Sequence, residues 1–134
     1  MTCHEYLLDT CTLLWYFDEE KSELSAEIED LIDSPYNSIF VSVASLWEIA
    51  IKISNKKLDV SFEGLIEKIV KADFIGLPID VHYLRAMINL DEALGKRIHK
   101  DPFDRLIIAT AQVKGMTIVT PDRVFQEYNI DTIW

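Results

Sequence analysis

The stretch DPFDRLIIATAQVKGMTIVT, residues 101–120, decides the fold. It opens with a helix whose two ends are both written in the sequence. Asp101 can accept from the first free backbone amides, Pro102 takes the first helical position, where its missing N–H costs nothing, and Gly115 follows the last turn. MTIVT (116–120) is then an apolar run of strand length. The same alternation runs upstream. EYLLD (5–9) reads as a strand ending in an acid, and TCTLLWYF (10–17) as a helix. Ser25 caps a helix to Asp33 that Ser34-Pro35 breaks, and NSIFVS (37–42) is the next strand. VASLWEIAIKISNK (43–56) carries apolar residues at 43, 46, 47, 50, 51 and 53, the broad stripe of a deeply packed helix. A helix over Phe62–Asp73, a short strand over Phe74–Ile79 that Pro78 confines to a sheet edge, and a helix from Asp80 to Asn89 follow. Beyond the basic loop GKRIHK (95–100) and the deciding stretch, PDRVFQEY (121–128) reads as a short helix and DTIW (131–134) as a last strand.

Strands alternating with helices predict a three-layer α/β/α sandwich around a central parallel sheet, because parallel neighbours need crossover connections. Residues 1–134 suit a single domain, with a composition near the globular average and no internal repeat. In such sheets ligands bind outside the carboxyl ends of the strands, where the strand order reverses.

Thirteen Lys and Arg against 23 Asp and Glu give a net charge of −10, which repels phosphate and anionic membrane. Any nucleic-acid chemistry therefore needs a local device. No apolar run is long enough to span a bilayer, and MTCHEYLLD lacks the pattern of a secretory leader, so a soluble, cytoplasmic protein without a membrane partner is expected. Cys3 and Cys11 form neither a disulfide framework nor a zinc pattern, and a structural role is expected of them.

Isolated acids in apolar surroundings supply that device. Asp9 separates YLL from TCTLLWYF, Glu48 is the lone charge between Asn37 and Ile51, Asp104 opens LIIATA, and Asp122 lies two residues past MTIVT. A buried carboxylate needs a partner, a proton or a metal ion. Asp9 and Asp122 would end parallel strands, Glu48 falls about a turn and a half into its helix and Asp104 in the first turn of its own, so all four can reach one rim. Clustered carboxylates repel unless a cation sits among them, and an all-oxygen set without Cys or His clusters suits Mg or Mn. Such an ion turns an acidic pocket into one that accepts phosphate, and phosphodiester hydrolysis follows. Each acid also has a plainer use. Asp9 can cap the following helix, Glu48 can pair with Lys52 at i,i+4, Asp104 can complement a helix dipole, and Asp122 can be a first-turn acid behind the cap Thr120.

The ordered set LLDT (7–10), SVASLWEIAIK (42–52), HKDPFDRLIIATA (99–111) and IVTPD (118–122) resembles PIN-domain ribonucleases, specifically the VapC-like toxins of toxin–antitoxin pairs. The resemblance covers essentially the whole chain. It implies a PIN-like fold, Mg- or Mn-dependent endoribonuclease activity with water as nucleophile, neutralisation by a cognate basic antitoxin, and homodimerisation. Asp9, Glu48, Asp104 and Asp122 carry over as catalytic and metal-holding acids, and Thr10 and Thr120 as supporting hydroxyls, whereas Asp101 reads best as the helix cap. Lys52, Lys100 and Arg105, with Lys96, Arg97 and His99 nearby, offer positive charge for substrate or a solvated surface. Trp15, Trp47 and Phe103 are expected in the core. That the substrate is RNA rather than DNA follows from the resemblance alone. Two other classes stay open: a receiver-like Mg-binding module, against which stands the absence of a lysine after IVT, and a PIN-like fold retained for protein binding.

Overall fold

Side chains along a strand alternate between its two faces, and in this protein that alternation splits the core in two. The computed structural model describes residues 3–19, 23–92, 95 and 101–134. Its strands are β1 (His4–Leu8), β2 (Asn37–Ser42), β3 (Ile75–Leu77), β4 (Thr117–Val119) and β5 (Thr132–Ile133). All pair in parallel, in the order β3-β2-β1-β4-β5. Leu8, Ile39, Val41 and Val119 face one side, where they meet Leu13 of α1 (Thr10–Phe17), Ile28 and Ile32 of α2 (Ala26–Asp33), Ile49 of α3 (Val43–Ser54) and Leu65 and Ile69 of α4 (Phe62–Lys71). Leu7, Phe40, Leu77 and Ile118 face the other, against Leu90, which follows α5 (Val81–Ile88), and Ile107, Ile108 and Ala111 of α6 (Pro102–Lys114). Three layers result, as the alternation predicts.

The ends of the helices explain why they stop where they do. Ser25, Asp80 and Asp101 accept from backbone amides in the first turns of α2, α5 and α6, and Gly115 at φ 68° closes α6 in the left-handed region. β3 is an edge strand, consistent with Pro78 behind it.

Two expectations need correction. Residues Arg123–Glu127 form a 3-10 turn whose cap is Asp122 itself, accepting from the Val124 amide at 3.0 Å, rather than a helix capped by Thr120. The helix at 43–56 ends at Ser54 and is not packed all round: Ala44, Ser45 and Ile49 are its buried line, whereas Val43, Trp47 and Ile51 form an exposed stripe four residues apart. Trp47 is 54 % exposed and touches Phe103 edge-on at 5.0 Å, so it is not a core residue. Among the described residues no helix is long and apolar enough to cross a membrane.

Candidate active site

β1 and β4 are neighbours whose outgoing chains turn to opposite sides of the sheet, β1 toward β2 and β4 toward β5. That is the point where the strand order reverses, the expected place for a site. Asp9 follows β1 and caps α1, with only 4 % of its surface exposed. Its Oδ1 accepts from the Thr12 amide at 2.8 Å and its Oδ2 from the Thr120 hydroxyl at 2.5 Å. The Cys11 thiol donates to both oxygens at 3.3–3.4 Å. Burial, and then the Asp9 charge beside it, push the Cys11 thiol far up, so it stays a protonated donor. Asp9 thus caps α1 while its carboxylate lies at the ends of β1 and β4.

Thr120 links the first acid to the last. While its hydroxyl donates to Asp9, the same oxygen accepts from the Asp122 amide at 3.1 Å. The geometry follows from the register, since β1 and β4 pair Leu8 with Val119 and so bring the residues after them side by side. Asp122 is half-buried there.

Thr10 performs the corresponding link to α3. Its buried hydroxyl donates to Ser45 Oγ at 3.0 Å, and Ser45 lies one turn before Glu48 on the same side of the helix. Glu48 Oε2 is 3.6 Å from Lys52 Nζ, the i,i+4 pair expected from sequence. Among the described residues, Glu48 Oε1 is the one buried side-chain oxygen or nitrogen without a hydrogen-bond partner. Leaving a carboxylate oxygen dry and unbonded is costly, and a cation is the partner that chemistry suits best.

Asp104 occupies the third position of α6, half-buried, and its amide donates to the cap Asp101 at 3.0 Å. The Trp47–Phe103 contact places this turn against α3. The donors on offer are thus hard carboxylate oxygens, the set Mg or Mn prefers. Among the described residues, which include Asp9, Glu48, Asp104 and Asp122, no three acid, imidazole or thiol groups are gathered tightly enough to hold an ion. The Thr120 hydroxyl sets the spacing of two of them, Asp9 and Asp122.

The basic residues divide. Lys52 keeps 47 % of its side chain exposed. Lys100, with Lys96, Arg97 and His99, lies outside the described residues. Arg105 requires a correction: its side chain is 9 % exposed and its guanidinium bonds Asp91 at 2.6 Å and the Met87 carbonyl at 3.2 Å, so it faces inward rather than toward substrate. Sequence reasoning passed over Thr12, Ser45, Asp91 and Tyr128, which bond Asp9, Thr10, Arg105 and Asp91 respectively. The one available signal was a serine a turn ahead of the isolated Glu48.

The fold has counterparts among solved structures. A chain of the VapBC2 complex of Rickettsia felis, bound to a fragment of promoter DNA, superposes with a TM-score of 0.74 at 18% identity, covering 97% of this chain and 98% of that one. A chain of DNA-bound VapBC from Salmonella typhimurium gives 0.70 at 18% identity, with 97% of each covered. VapBC-5 of Mycobacterium tuberculosis, from a family of toxin–antitoxin systems, gives 0.60 at 18% identity over 96% and 98%. No curated protein matches by sequence. The sequence profile of the PIN domain matches residues 6–130, nearly the full length. The chain belongs to the PIN domain family.

Proposed function

We propose that this protein is a divalent-metal-dependent endoribonuclease, the toxin of a toxin–antitoxin pair, with Asp9, Glu48, Asp104 and Asp122 holding Mg or Mn. The single observation carrying this reading is Glu48 Oε1, buried and unbonded on the helix that Thr10 ties to Asp9. A bound divalent ion supplies positive charge to the phosphate and acidifies water. The chain's residues do the rest. Thr120 and the Thr12 amide hold the Asp9 carboxylate in one orientation, the Asp101 cap fixes the turn bearing Asp104, and Thr120 holds the Asp122 backbone. On this reading Lys52, in the last turn of α3, meets a substrate phosphate.

Two protein partners accompany this reading. A groove of about 550 Å³ between α1 and α4, lined by apolar Leu14, Trp15 and Leu65 and by three acids, Asp18, Glu19 and Asp59, against one cation, Lys68, suits a basic amphipathic antitoxin segment by charge. A second copy of the chain suits the opposite kind of surface. Val43, Trp47 and Ile51 of α3 and Val81, Leu84 and Ile88 of α5 are exposed, and the two helices meet beneath in the buried cluster of Ala44, Tyr83 and Leu106. α5 carries no carboxylate and α3 only Glu48, so this face escapes the repulsion between two chains of charge −10.

The reading is tested by incubating purified, antitoxin-free protein with RNA. Cleavage with Mg or Mn, its loss in EDTA and its loss in folded Asp9→Asn are expected. Cleavage by Asp9→Asn at the parent's rate contradicts the assignment.

A further inference from the structure

Arg105 stands one residue past Asp104, and the carboxylate it holds reaches further than α6. Asp91 receives Arg105 Nη1 on Oδ2 at 2.6 Å and the Tyr128 hydroxyl on Oδ1 at 3.1 Å. Arg105 Nη2 also donates to the Met87 carbonyl in the last turn of α5. Tyr128 is 4 % exposed and directly follows the 3-10 turn that Asp122 caps, its amide donating to the Phe125 carbonyl. One carboxylate, from the segment after α5, is thus bonded to the two elements that carry Asp104 and Asp122.

We propose that Asp91 is a positioning residue which, through Arg105 and Tyr128, fixes the first turn of α6 relative to the Asp122 turn so that Asp104 and Asp122 can share one divalent ion. The proposal rests on the metal reading above. A largely buried ion pair adds little net stability compared with a packed apolar pair, so its distinctive contribution is fixed geometry. The geometry here is specific. Arg105 donates through two separate nitrogens to two different acceptors, Asp91 has each oxygen engaged, and Tyr128 reaches Asp91 from the end of the turn that Asp122 caps. Thr120 holds Asp9 and Asp122 together at the strand ends, and Asp91 holds the helix that brings Asp104 to them. A shift of α6 by a fraction of a bond length at this end would move Asp104 without unfolding the sheet.

The test measures Mn²⁺ affinity, from the electron paramagnetic resonance signal of the free ion, in the parent, Asp91→Asn, Tyr128→Phe and Ile69→Val. Ile69 packs on the opposite face of the sheet and serves as the variant that lowers stability without touching the clamp. Amide exchange of segments 102–106 and 122–127 is followed alongside. Asp91→Asn is expected to bind Mn²⁺ about 10-fold more weakly and Tyr128→Phe roughly 3-fold, in line with the effect of groups that orient metal ligands. Exchange should quicken in both segments and not in β1, and Ile69→Val should bind as the parent does. A folded Asp91→Asn with the parent's affinity overturns the proposal. If Asp91→Asn does not fold, Tyr128→Phe with unchanged affinity and exchange overturns it equally. A parent that binds no Mn²⁺ sinks the metal reading and the purpose of the clamp together, an outcome distinct from equal binding by parent and variant.

Discussion

The hydroxyl of Thr120 donates to Oδ2 of Asp9 at 2.5 Å, joining residues 111 positions apart where β1 and β4 end side by side. Both groups are buried, so the bond is made to a charged acceptor away from water. Thr120→Val removes the donor and keeps the shape. It is expected to cost about 1–3 kcal/mol in urea unfolding, and Thr120→Ser to recover most of the loss. Equal midpoints for parent and Thr120→Val contradict this.

Glu48 gives a prediction of opposite sign. Its Oε1 is buried without a hydrogen-bond partner, so neutralising the group relieves a cost in the metal-free protein. In EDTA, Glu48→Gln is expected to unfold at the same or a higher urea concentration than the parent. With Mn²⁺ at a hundred times its dissociation constant, the parent gains about 2.7 kcal/mol and the variant far less. A parent that Mn²⁺ does not stabilise counts against the site.

Tyr16 fastens α1 to α2 by donating its phenol proton to Asp33. Burial first, then this bond and the Asp33 charge, push the Tyr16 phenol well above its ordinary value. Because the folded state holds that proton more tightly than the unfolded chain, the contribution is intact below about pH 10 and is lost as pH rises beyond it. Urea unfolding from pH 8 to 11 should show a decline above pH 10 that Tyr16→Phe flattens; parallel curves for the two proteins oppose it.

The exposed stripes of α3 and α5 predict self-association. Ile88, 76 % exposed, and Val81 carry no role at the acids. Ile88→Asp with Val81→Asp is expected to turn a sedimenting dimer into a folded monomer, by unfavourable burial of charge. A parent that sediments as a monomer contradicts the assignment of this face to a second copy.

Much of this architecture was legible in the sequence because the deciding signals are local. Asp101, Pro102 and Gly115 bracket α6, and β2 runs over the stretch NSIFVS, since caps and short apolar runs act within a few residues. The acids were legible as isolated charges in apolar runs. What escaped was set by partners distant in sequence. Whether Trp47 faces in or out depends on which line of α3 meets the sheet, and the small residues Ala44 and Ser45 take the inward line. Arg105 reads as an available cation until Asp91 and Met87, both on the far side of a loop, receive its guanidinium. Asp122 caps its own turn by accepting from Val124, while its amide donates to the Thr120 hydroxyl that also holds Asp9.

Crystals grown with MnCl₂ test the central claim most directly, by anomalous difference density at the carboxyl ends of β1 and β4. The account predicts one or two peaks, each about 2.2 Å from carboxylate oxygens drawn from Asp9, Glu48, Asp104 and Asp122, close to the distances known for hard divalent ions. Density elsewhere, or none at saturating Mn²⁺ with this rim open to solvent, contradicts it.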